Sequence, residues 1–375
     1  MIHEAVALRI ITAKAAKSKC DRKAERCSRC VDKVLLCVYT IKANNGQVQE
    51  TASTIRPGST PNCYDGGTWS DADPAQRPSF QDLDLFCPIP ADQIRNRWMN
   101  PYLVEGSQHV KTISANAAVF LQRILESYIG VIRRDVVPDF IHPMQTHQAS
   151  PVLTTCLELV RSCARMLPAD LNSIKASLLE AMADTTTRAE NTSSLDALSA
   201  FQAMLIYCMV LDLWFDGSGV QLCEATIRLQ EIASWSCKKG LECTSIGTND
   251  RPEWAEWIVV EAKRRTLYTM YLFDNMLSSR NDLPSFISEE LSGLRAPGGN
   301  DLWRASERKD WIKAYDDSMR EWQDKPLQIN ELWPLPADSS ESEHRRQSER
   351  IEKWLEQADE YCIMLYAMTS SLHGV

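Results

Sequence analysis

The chain reads as a mainly α protein in three parts: a small, cysteine-rich N-terminal motif over residues 1–40, a flexible linker over 41–85 and a large all-helical domain over 86–375. Three observations carry that reading. After residue 86 apolar residues recur at three- and four-residue spacing, which places them on one face of a helix. Strand-like alternation is almost absent. Before that point lies a stretch punctuated by proline and glycine, with no sustained apolar period.

Size and charge bound what these parts can do. With 375 residues and 44% hydrophobic content, the chain is long enough to bury a sizeable core. The net charge of −9 conceals an asymmetry: residues 1–40 hold nine Lys and Arg against four Asp and Glu, about +5, which leaves −14 for the remainder. A basic head on an acidic body suits a contact with a polyanion confined to the head. No run reaches the roughly 18 uninterrupted apolar residues of a bilayer span. Residues 201–215 come nearest, but Gln202 and Asp212 interrupt them, so they read as a buried helix. The apolar patch at residues 5–11 is broken by Arg9 and lacks a small-residue cleavage site, so no secretory signal is expected. The thirteen cysteines are therefore expected in a reducing compartment, where clustered thiols mean metal or redox chemistry. Scattered ones such as Cys156, Cys163, Cys208 and Cys223 read as small core residues.

The N-terminal motif places Cys20, Cys27, Cys30 and Cys37 at the spacing C-x6-C-x2-C-x6-C. Thiolates three positions apart can chelate one tetrahedral ion, and soft sulfur ligands favour zinc over harder metals. A redox role for Cys27 and Cys30 finds little support, since no strand–helix unit surrounds them. Basic side chains flank the cysteines: Lys14, Lys17 and Lys19 before the first, and Arg22, Lys23 and Arg26 between the first and second. The linker follows, marked by Asn44-Asn45-Gly46, Pro57-Gly58, Pro61, Gly66-Gly67, Pro74 and Pro78, and it carries no heptad pattern.

Helical spacing predicts segments near 109–128, 151–166, 168–183, 193–214, 218–237, 252–280 and 345–372. The segment after Asp250 begins with helix-start chemistry: Asp250 as a cap, Pro252 in the first turn and Glu253 three residues on. Its inner face runs through Trp254, Trp257, Ile258, Glu261, Arg265, Tyr268 and Leu272. Glu261 with Arg264 and Arg265 sits at i, i+3 and i+4, which predicts a structural ion pair, and the same structural reading applies to Asp274. His142 and His147, near Pro143, read as loop or core residues, and Trp254, Trp257, Trp303 and Trp311 as core. A rival enzyme reading rests on Asn281, Asp282, Ser285 and Glu289, which fit the magnesium motif of class I terpene synthases. Pro284 inside the motif would break the helix that must align its ligands, and no aspartate-rich partner motif stands upstream. No nucleophile with its base, phosphate loop or dinucleotide fingerprint stands out, so no catalysis is expected.

The motif at residues 20–37 resembles the fungal zinc binuclear cluster family. Its four cysteines match the third to sixth of that family's six, and Cys-Ser-Arg-Cys at 27–30 followed by Cys37-Val38-Tyr39 is characteristic wording. The first two cysteines of the pattern should stand at positions 10 and 13, which are Ile10 and Ala13 here. In the family six thiolates share two zinc ions, so the ordinary two-metal cluster cannot form from these residues, whereas four thiolates suffice for one zinc. The resemblance implies a short basic helix read into the major groove of double-stranded promoter DNA, with Lys17 at the base-contacting position on CGG triplets and Arg22, Lys23 and Arg26 nearer phosphates.

A second resemblance covers roughly residues 99–330. Residues 261–274, Asn281 to Pro284, Glu289 to Leu291, Ala296-Pro297, Leu302 to Ala305 and Asp139 to His147 look like the fungal-specific transcription factor domain. Together the two imply a nuclear, zinc-dependent regulator of RNA polymerase II transcription. They also imply contacts with the transcription machinery or co-regulators, no membrane partner and a homodimer as one arrangement. The alternative within the same family is a member without independent DNA binding that acts through protein contacts.

Overall fold

The computed structural model describes residues 78–97, 113–148, 150–163, 171–188, 192–215, 220–245, 251–281, 283, 288–323 and 325–373. Contacts divide the chain into residues 1–68 and 69–375, and every element described belongs to the second unit. The cysteine motif and the linker up to residue 77 lie outside the described residues.

The described residues are mainly helical, with twelve α-helices and two strands of two residues each. The first elements are β1 (Leu85–Phe86), α1 (Asp92–Arg95), α2 (Ala115–Ile132), α3 (Pro143–Thr146), α4 (Pro151–Cys163), α5 (Leu171–Arg188) and α6 (Ser194–Phe215). Then follow α7 (Val220–Lys238), β2 (Glu242–Cys243), α8 (Trp254–Arg280), α9 (Asn300–Trp303), α10 (Arg308–Trp322), α11 (Glu341–Glu356) and α12 (Glu360–His373).

Two helices form the interior. In α6 residues 197–212 are all buried, and α2, α4, α5, α7 and α8 pack around it. A helix apolar on every side must be covered on every side. By length and composition α6 could also cross a bilayer, and 83% of its most apolar window is buried inside the bundle. Its polar breaks are satisfied internally: Gln202 Nε2 donates to the Phe140 carbonyl at 3.0 Å, and Asp212 pairs with Arg280 at 2.6 Å. The second central helix, α8, runs for 27 residues and is almost entirely buried, although it carries Glu261, Lys263, Arg264, Arg265 and Asp274.

The structure differs from the sequence reading in four places. Residues 78–85, read as linker, are packed: Phe80 is buried with the tryptophan cluster, and β1 pairs antiparallel with β2 through Leu85 and Cys243. Gly240 makes that pairing sterically feasible, because its φ is +107° and a Cβ there would lie 2.2 Å from the Leu85 Cβ. The helix expected to start near Asp250 starts at Trp254. Its cap is Glu253, whose backbone N–H donates to the Glu256 carboxylate at 3.0 Å. The segment 345–372 is two helices, because Asp359 accepts from the Cys362 N–H at 2.9 Å and opens α12 anew. Finally, α10 was not expected. It is a charge-rich helix that buries Trp311, Tyr315 and Trp322 on one side.

Candidate functional site

All residues singled out for metal or DNA contact lie outside the described residues: Cys20, Cys27, Cys30 and Cys37, and Lys14, Lys17, Lys19, Arg22, Lys23 and Arg26. As a donor set, four thiolates fit a single zinc ion and fall short of the six that a two-zinc cluster uses. Among the described residues no group of three or more His, Cys, Asp or Glu is placed to hold a metal. The described cysteines are all free, and burial pushes the thiols of Cys156, Cys208, Cys237 and Cys243 well above the ordinary value, as suits protonated core residues.

The chemistry concentrated on α8 is a buried charge network. Glu261 receives Arg264 Nη2 at 2.8 Å, Arg265 Nε at 2.9 Å and the Gly298 N–H at 2.9 Å. The i, i+3 and i+4 spacing joins these three side chains as expected, and each arginine then reaches a distant acid. Arg264 meets Glu242 at 2.9 Å and the Leu241 carbonyl at 3.0 Å. Arg265 meets Asp359 at 2.7 Å and the Gly298 carbonyl at 3.0 Å, and its guanidinium lies 4.1 Å from the Trp303 ring centroid. Burial alone would raise the Glu261 carboxyl, but the two arginines outweigh it and hold the pKa below the ordinary value. Asp359 follows the same balance, with Arg265 overcoming burial. The network therefore clamps α8 to β2, to the 297–299 turn and to the start of α12, and it consumes its own charges.

Other charged residues on α8 are also engaged. Lys263 is fully buried and, among the described residues, has no carboxylate in ion-pair distance. Its Nζ donates to Ser194 Oγ at 2.7 Å and to the Gly240 carbonyl at 2.9 Å, and burial lowers its pKa to about 7. Asp274 stands apart from the Glu261 cluster and pairs with Arg97 at 2.9 Å, while burial raises its pKa to about 6. His142 is a buried cap, its Nδ1 accepting from the Met144 N–H at 3.1 Å and its ring set edge-on to Trp303, whereas His147 is exposed at the far end of α3. Trp254, Trp257, Trp303 and Trp311 pack together as core. The terpene-synthase motif does not share a helix: α8 ends at Arg280, Asn281 Nδ2 donates back to the Leu277 carbonyl at 2.8 Å, and Glu289 opens a separate 3-10 turn. Asp282 and Ser285 lie outside the described residues.

One open site is present that no sequence pattern announced. A cleft of about 700 Å³ lies where the β1–β2 ladder, the segment 325–331 and α11 meet. Its wall carries Arg295, Lys325, Arg346 and Arg350 beside Glu242, Glu331 and Glu343. No family model, curated protein or solved structure matches this chain.

Proposed function

We propose that the chain is a DNA-binding transcription regulator of the fungal zinc-cluster type, acting in the nucleus on promoter DNA through residues 14–37, with the helical domain as its regulatory body. One observation supports this most: the spacing of Cys20, Cys27, Cys30 and Cys37 inside a basic segment on an otherwise acidic chain. Zinc held by these four thiolates would supply the fixed point that orients the adjacent basic residues. Lys14, Lys17 and Lys19 then form the stretch that enters the groove, with Lys17 at base edges, and Arg22, Lys23 and Arg26 face phosphates. A second reading is favoured by Ile10 and Ala13: with two cluster ligands replaced, the chain acts through protein contacts of its helical body and lacks independent sequence-specific binding.

The test is binding of the full chain to CGG-containing and scrambled duplexes, with and without zinc, alongside the form Ile10→Cys/Ala13→Cys. Binding of the chain as written to both duplexes alike, in the non-specific range of about 10⁻⁴ to 10⁻⁶ M and weakening steeply with salt, supports the second reading, whereas CGG preference by the chain as written shows that four cysteines suffice. The repaired form is expected to prefer CGG by at least about tenfold when zinc is present. Equal binding by the repaired form to both duplexes would rule out the zinc-cluster reading.

A further inference from the structure

The cleft between the β1–β2 ladder and α11 has an uneven charge account. Glu242 is committed to Arg264 at 2.9 Å and to Arg295 at 3.4 Å. Glu331 engages Arg350 with both oxygens, at 2.5 and 2.8 Å. Glu343 is turned to the start of α11, where it accepts from the Ser340 N–H at 2.7 Å. Two of the three acids on the wall are thus ion-paired, as are two of the four cations, while Glu343 is hydrogen-bonded to Ser340 and keeps its charge. Among the described residues no carboxylate lies within ion-pair distance of Lys325 or Arg346. Both heads are exposed at the rim, on a chain whose charge outside residues 1–40 is −14. The rest of the lining is mixed: the amides Gln328, Asn330 and Gln347, and an apolar part made by Phe86, 42% exposed although large, with Pro88, Pro326 and Leu335.

We propose that this cleft binds a small organic anion with an apolar body, its acid group held by Lys325 and Arg346 and its hydrocarbon part lying against Phe86 and Leu335. The volume falls in the range of about 300–1,000 Å³ usual for such ligands. An arginine and a lysine set near an apolar wall recognise a carboxylate or sulfonate by charge and the attached body by burial. The site does not depend on zinc or DNA, so it stands or falls separately from the proposed function.

Anilinonaphthalene sulfonate, an apolar fluorophore carrying one acid group, serves as the probe on the full chain. Saturable binding at one site is expected, with displacement by hexanoate and not by hexanol or citrate. Lys325→Glu/Arg346→Glu should weaken the probe by on the order of tenfold or more, and Lys325→Gln/Arg346→Gln by less, with unchanged thermal unfolding midpoints because both side chains are exposed. Probe affinity unchanged in the charge-reversed form, displacement by hexanol as effective as by hexanoate, or no saturable binding would each overturn the proposal.

Discussion

Residues 1–40 carry nine Lys and Arg against four Asp and Glu, while the remaining chain, at −14, buries several of its cations in α8. The same residue types are used in opposite ways. In the body Arg264 and Arg265 are desolvated and spent on Glu261, Glu242 and Asp359, so their charge cannot recruit a partner. In the head the cations outnumber the acids more than twofold, which leaves a net charge of about +5. Net charge alone would hide this difference, because the body's acidity masks the head. Arg264 and Arg265 have acids both at helical spacing and across a packed interface, whereas the acids of the head, Asp21 four residues after Lys17 among them, are too few to balance its cations.

The largest expected effect comes from unbalancing the buried network. Glu261→Gln leaves guanidinium charge uncompensated in the interior and should cost about 3–5 kcal/mol of stability, read from urea unfolding. A loss below about 1 kcal/mol, as for a surface pair, would mean that the network is solvated and that the contrast with the head fails. A moderate effect concerns Lys263. Its folded pKa of about 7 lies below the ordinary 10.5, so the unfolded chain binds more protons between those values and stability rises with pH across that window. The slope approaches about 1.4 kcal/mol per unit for one group. The clean range is pH 7 to 9, because above the ordinary thiol value of 9.0 the buried cysteines, with raised pKa, pull the other way. Lys263→Met should flatten the dependence in that range, and an unchanged slope would remove Lys263 as its source. The smallest effect belongs to Arg346→Glu, which alters an exposed rim charge and should move unfolding free energy by no more than about 0.5 kcal/mol. Comparing it with Glu261→Gln measures directly how far burial separates one charge from another.

The helical character was legible because it rests on local spacing, and most long segments begin and end near where periodicity places them. The short-range half of the α8 network was legible for the same reason. Its other half was not, since Glu242, Gly298 and Asp359 reach Glu261, Arg264 and Arg265 only through packing. The break before α12 had a readable signal in Asp359, a capping residue inside an apolar-periodic stretch. The helix α10 also had one, since Trp311, Tyr315 and Trp322 keep helical spacing in a segment dominated by charge. Residues 78–85 misled because Pro78 and the nearby acids resemble linker composition, whereas Phe80 and Leu85 dock on distant elements. The cleft left no trace in the sequence, because its walls come from β1, β2, the 325–331 segment and α11. The residues proposed for metal and DNA are the reverse case, read from spacing alone and lying outside the described residues.

The account turns on the cysteines of the head, and the most direct measurement is native mass spectrometry of the reduced full chain after equilibration with zinc and removal of excess metal. One zinc per chain is predicted, lost in Cys27→Ser/Cys30→Ser and retained when the scattered core residue Cys208 is changed to Ala. A reduced chain that carries no zinc would contradict the claim that residues 20–37 form a metal site.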